Sequence, residues 1–163
     1  MSAVTGVVLP TSKAVRDLLE DMLGRDIDVA RSEPLVPSPK VRSAIAVYVD
    51  ARLRAGAIVA VELPLAAFAG AAIGLVPRGG ANECVEEGEL SPTISENLHE
   101  VLNICSMLFN QPGARHLRLY KVYDPSELPP VDISAYLRTL GRRLDLSVRV
   151  AGYGAGKLGV VLT

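Results

Sequence analysis

Cysteine and histidine are scarce, and their scarcity closes several doors at once. Only Cys84 and Cys105 occur, and they form no C-x-x-C pair. That excludes a disulfide scaffold and fits the reduced thiols of a cytoplasmic protein. The opening MSAVTGVVLP also lacks the basic region and long apolar stretch of a secretory leader. Two histidines, His99 and His116, with two scattered cysteines give no zinc-ligand spacing. HEVLN resembles the start of a zinc-protease helix, but Asn103 stands where the second histidine would be. An excess of charge of one sign is missing as well. Seventeen Lys and Arg against eighteen Asp and Glu leave a net charge of −1. The chain therefore has no general attraction to nucleic acid or to anionic membranes.

A membrane-spanning run is lacking too. The segment 57–77 has about the length of a bilayer crossing, yet Glu62 and Pro64 interrupt it and its second half is Ala and Gly. A buried strand followed by a small-residue helix explains it better. GYGAGKL is no phosphate loop: Ala151 replaces the first glycine, Leu158 replaces the Ser or Thr, and a strand follows. It reads as a hairpin turn. There is no G-x-S-x-G elbow, and helical spacing puts Cys105 in an apolar stripe, as core packing.

What is present is one domain over 1–163, with 49% hydrophobic and 21% charged residues. TSKAVRDLLEDMLG, residues 11–24, predicts a helix with a stripe of Val15, Leu18, Leu19 and Met22, capped by Thr11 or Ser12 and ended by Gly24. SEPLVPSPK, 32–40, is an extended connection. VRSAIAVYVD and AGAIVAVEL predict an antiparallel strand pair, and PLAAFAGAAIGLV a helix that lets a neighbour approach closely. The stretch 78–91 reads as a polar surface loop. Ser91-Pro92, with Thr93 three before Glu96, marks a capping-box start for a helix running to about Asn110. Residues 114–124 predict a half-buried strand, Asp132 a cap for ISAYLRTLGRR, and the last eighteen residues two strands about a glycine-rich turn. This order predicts an α+β fold, an antiparallel sheet covered by helices on one face.

The helix over 94–110 carries the chemistry. At about 100° per residue, Leu98, Val101, Leu102, Cys105, Leu108 and Phe109 share an arc of roughly 120°, the buried face. Glu96, Glu100, Asn103 and Met107 cluster opposite, within about 60°. An ordinary wet face explains the glutamates. Asparagine is a weak helix former, so Asn103 asks for more. A carboxylate beside a carboxamide on a rigid element can anchor a cationic side chain and orient a water.

Glu100-x-x-Asn103, with Ile104 after it and Pro125 after twenty-one further residues, resembles the CheC/CheX/FliY family, which dephosphorylates the chemotaxis regulator CheY. LLEDMLGRDIDV and the strand pair leading into a small-residue helix are similar to CheX-type proteins, closest among these. The resemblance covers roughly residues 11–125. It implies that Glu100 binds a lysine of a CheY-type receiver and that Asn103 orients the attacking water. Glu96, Met107 and Pro125 would then belong to the partner-binding surface. It implies no cofactor of the chain's own, the Mg²⁺ lying on the receiver, and it implies a homodimer. The sequence departs from the family pattern in three ways. Glu96 replaces Asp or Ser; the run ICSMLFN is bulkier than usual, with Ile104 and Met107 near the approach; and only one copy is present. In the first helix, Glu20 is followed by Leu23 at the asparagine position. The alternative is a non-catalytic module of the same fold, binding or dimerising within a signalling or motility assembly.

Overall fold

A computed structural model describes residues 6–163. The chain opens on α1 (Ser12–Leu23), where the Thr11 hydroxyl accepts from the Ala14 N–H at 3.1 Å and Gly24 closes the helix. Then come β1 (Ile27–Arg31), β2 (Ser43–Val49) and β3 (Ala55–Glu62), followed by α2 (Leu63–Ile73), α3 (Arg78–Glu87) and α4 (Pro92–Ile104). A 3-10 turn over Cys105–Leu108 leads to β4 (Arg118–Tyr123), α5 (Val131–Leu137), β5 (Arg143–Val150) and β6 (Gly154–Leu162).

The six strands form one antiparallel sheet in the order β1-β5-β6-β3-β2-β4. The fold is α+β. That order is symmetric about the β6–β3 pair. The run α1-β1-β2-β3 occupies the same places, from one edge inward, as α4-β4-β5-β6 does from the other. Each half places its first strand against the other half's hairpin, β1 on β5 and β4 on β2. The halves are therefore interlaced.

Helices α1 to α4 cover one face of the sheet over the larger core, while α5 lies on the other. There Ile133 and Leu137 pack with Leu35, Ile45, Ile58 and Val161. The small-residue helix α2 packs against both the sheet and α4, with every residue from Leu65 to Ala72 buried. A Cβ on Gly70 would lie 2.6 Å from the Ile94 carbonyl oxygen, and one on Gly156 of β6 would lie 2.7 Å from the Leu65 nitrogen. Only the missing side chains let α2 wedge in so closely. The segment 57–77 is thus β3 and α2. Among the described residues no helix is long and apolar enough to cross a membrane.

Several elements differ from expectation. Residues 78–87 form a helix, not a loop. Its low-propensity Gly79 and Gly80 hide it, but Ala81 and Cys84 are buried against the core and Gly88, at φ 76°, caps its end. β1 is an additional strand, short, polar and at the edge. Regular helix in α4 ends at Ile104 rather than near Asn110. Its cap is Ser91, whose hydroxyl accepts from the Ile94 N–H at 3.4 Å, and Thr93 plays no capping part. Asp132 lies in the first turn of α5, and Pro130 occupies its cap position.

Candidate functional site

The buried face of α4 is set by Ile94, Leu98, Val101 and Leu102. Polar contacts on three sides then fix the helix around its axis. The Tyr48 hydroxyl donates to the Leu102 carbonyl at 2.6 Å from the sheet beneath. Toward α2, the Asn97 amide donates to the Gly70 carbonyl at 2.9 Å. Toward the sheet edge, Asp124 at the end of β4 accepts from the Ser95 hydroxyl at 3.0 Å and meets His99 Nε2 at 3.2 Å. Beyond the helix, Tyr48 and Phe109 rings pack with centroids 5.2 Å apart. The Asn110 carboxamide then pairs with both backbone groups of Leu117. Burial raises the Tyr48 phenol well above its ordinary range, so it stays a neutral donor.

On this fixed helix Glu96, Glu100 and Asn103 face outward, and Met107, on the 3-10 turn that follows, is exposed as well. Met107 is 64% exposed, and Ile104 is half-buried beside Asn103. Neither the Glu100 carboxylate nor the Asn103 carboxamide makes a hydrogen bond among the described residues. Both therefore keep their full bonding capacity for an incoming group. The pair is one turn apart, as its spacing requires. The arrangement suits anchoring a cation and orienting a polar molecule, and it carries no nucleophile. The Cys105 thiol is buried, and burial pushes its pKa up to about 12, far above any thiolate-forming range. Among the described residues no group of three or more His, Cys, Asp or Glu could hold a metal ion.

Pro125 lies apart from this surface. It is buried and lines a cavity on the α5 side of the sheet, with Ile45 and Leu137. The chain turns there because Asp124 is held toward α4, which directs the next residue the other way. The residues that orient α4, Ser95 and Asp124, carried no sequence signal, since twenty-nine positions separate them.

The interlaced symmetry also corrects the reading of α1. Its buried residues Val15, Leu19 and Leu23 have the spacing of Ile94, Leu98 and Leu102 in α4. On that register Asp17, Asp21 and Gly24 take the places of Glu96, Glu100 and Asn103. Leu23 is a core residue, and the Glu20 carboxylate accepts from the Ile27 N–H at 3.2 Å. The counterpart of Asn103 is a capping glycine, so of these two helices α4 alone displays a carboxylate with a carboxamide.

No family model matches the chain, and no curated protein matches it. Solved structures do. The FliM middle domain from Vibrio alginolyticus aligns over 92% of this chain and 86% of its own, at 14% identity and TM-score 0.56. A chain of the FliM–SpeE complex from H. pylori aligns over 93% and 80%, at 5% identity and TM-score 0.60. Thermotoga maritima FliY aligns over 91% and 81%, at 16% identity and TM-score 0.50. The chain has the fold that the FliM middle domain and FliY share.

Proposed function

We propose that α4 is the working element of a phosphatase acting on the phosphoaspartate of a CheY-type receiver domain. One observation supports this above the rest: Glu100 and Asn103 stand side by side and outward, without side-chain partners among the described residues, on a helix pinned on three sides. In this reading Glu100 binds a lysine beside the receiver's phosphorylation site, and Asn103 enters that site. Its carboxamide orients a water for attack on phosphorus, the bond from phosphorus to the aspartyl oxygen breaks, and the carboxylate and inorganic phosphate are released. Such chemistry asks mainly for positioning. The Mg²⁺ is the receiver's, and the chain brings no metal. Glu96 and Met107 flank the pair and meet the partner's surface. The open edges of β1 and β4 offer a route to a homodimer. The working place is the cytoplasm, with the receiver.

A second reading is favoured by the likeness to the FliM middle domain: a non-catalytic module that binds a partner within a motility assembly. Decay of a phosphorylated CheY-type receiver separates the two. Wild-type protein is expected to speed decay, and Asn103→Ala to lose at least about 10²-fold of that acceleration, the scale of losing one positioned donor. Unchanged acceleration by Asn103→Ala would sink the mechanism. Binding to a receiver with no change in phosphoaspartate lifetime would establish the module instead.

A further inference from the structure

The face opposite α4 holds a second surface, unconnected with the phosphatase reading. A cavity of about 360 Å³ opens between segment 36–39, segment 125–129 and α5, with Ile45 at its floor. That volume lies in the range of formed binding pockets. Its walls are fixed in advance. Arg143 donates to the carbonyls of Leu35 and Leu137, and Asp145 accepts from the Leu35 N–H at 2.8 Å. On the far side Arg42 donates to the Gly88 carbonyl at 2.9 Å.

The rim is apolar and bare. Leu128 is 93% exposed, Val131 82% and Val36 40%. Val131 stands one turn before Ser134 on α5, so the apolar rim continues past the cavity along that helix. A ligand filling only the cavity would leave Leu128 and Val131 in water, whereas a length of polypeptide would cover them. Four prolines in the two loops remove backbone donors that a pairing strand would need, so recognition falls to side chains. Charge sets the sign. Arg42 and Arg138 line the walls against a single carboxylate, Glu127, which already accepts from the Asp124 N–H. The Arg138 side chain makes no hydrogen bond among the described residues. Two arginines over an apolar floor are too few for a nucleic-acid backbone.

We propose that this groove docks a short segment of a partner protein. An aliphatic side chain of the segment enters the cavity, and a neighbouring aspartate or glutamate pairs with Arg138.

Panning a display library of random dodecapeptides on the full chain tests this. The enriched sequences are then synthesised with a fluorescein label and titrated by anisotropy. Enrichment of peptides with an acidic residue within three positions of a large aliphatic one is expected. They should bind Arg138→Gln and Leu128→Asp at least about tenfold more weakly, and Asn103→Ala as tightly as wild type. Both groove substitutions fall on exposed positions, and unchanged melting temperatures would confirm that the fold is kept. No enrichment, enrichment of basic peptides, or equal binding to both groove variants would overturn the proposal. So would sedimentation showing a dimer that Leu128→Asp dissolves, because the occupant would then be a second copy.

Discussion

Asp145→Asn is the sharpest test of how the sheet holds its outer connections. Asp145 and Arg143 side chains are 6% and 5% exposed, joined by two contacts, Nε to Oδ2 at 2.7 Å and Nη2 to Oδ1 at 2.8 Å. Asp145→Asn keeps the volume and removes the charge, leaving the Arg143 guanidinium buried and uncompensated. Breaking such a pair from one side costs about 3–5 kcal/mol. Three carbonyls, those of Leu35, Leu137 and Thr139, go on accepting from Arg143, which puts the loss near the lower end, about 3 kcal/mol. In urea unfolding, with a slope of about 2 kcal/mol/M, the midpoint should fall by about 1.5 M with the slope unchanged. A fall of less than about 0.5 M would refute the reasoning, because the pair would then be screened by water and the segment around Leu35 held by something else.

Two further outcomes follow from buried and paired groups. Cys105 and Cys84 are both buried, so a thiol reagent at pH 8 should leave the folded chain unmodified and label both once urea unfolds it. Prompt labelling of the folded protein would show that α4 or α3 opens far more readily than its packing implies. Asp50 accepts from the Arg54 and Arg52 backbone N–H groups and pairs with the Arg54 side chain. The Arg54 N–H foremost, these hold its carboxyl below the ordinary 3.8. The stability it supplies is therefore complete above the ordinary carboxylate range and disappears as pH falls through its lower folded value. Asp50→Asn should be less stable than wild type at pH 7 and converge with it as pH falls through that lower folded value; a gap that persists in more acidic solution would show that charge is not its source.

The elements legible in the sequence are those with an apolar signal of their own. β2 and β3 are continuous apolar β-rich runs, the β5–β6 hairpin is marked by its glycine-rich turn, and the stripe of α4 repeats at three and four. The outward side of Glu100 and Asn103 followed from the same periodicity. β1 and α3 were not legible because neither carries its own signal. β1 buries only Ile27 and is a strand because β5 pairs with it, and α3 is held by two small residues against a core assembled elsewhere. The anchoring of α4 by Asp124 and the groove beside α5 lie further out of reach. Both join segments brought together only by the interlaced sheet.

That interlacing explains why symmetry of the fold does not become symmetry of the site. Because β1 crosses to β5 and β4 to β2, neither half closes its sheet alone, and α1 and α4 are held to equivalent places on the same face. The equivalence ends at α2. Helix α2, which follows β3, lies against α4 far more than against α1. It meets α4 through the Gly70 approach to Ile94 and the Asn97 bond to the Gly70 carbonyl. Helix α4 is thus braced by α2 on one flank and by Asp124 on the other, and it continues beyond Asn103 into the 3-10 turn. Helix α1 stops at Gly24, the place Asn103 fills in α4. A side chain meant to position a water needs a rigid base, and of the two equivalent helices only α4 has one under its last turn.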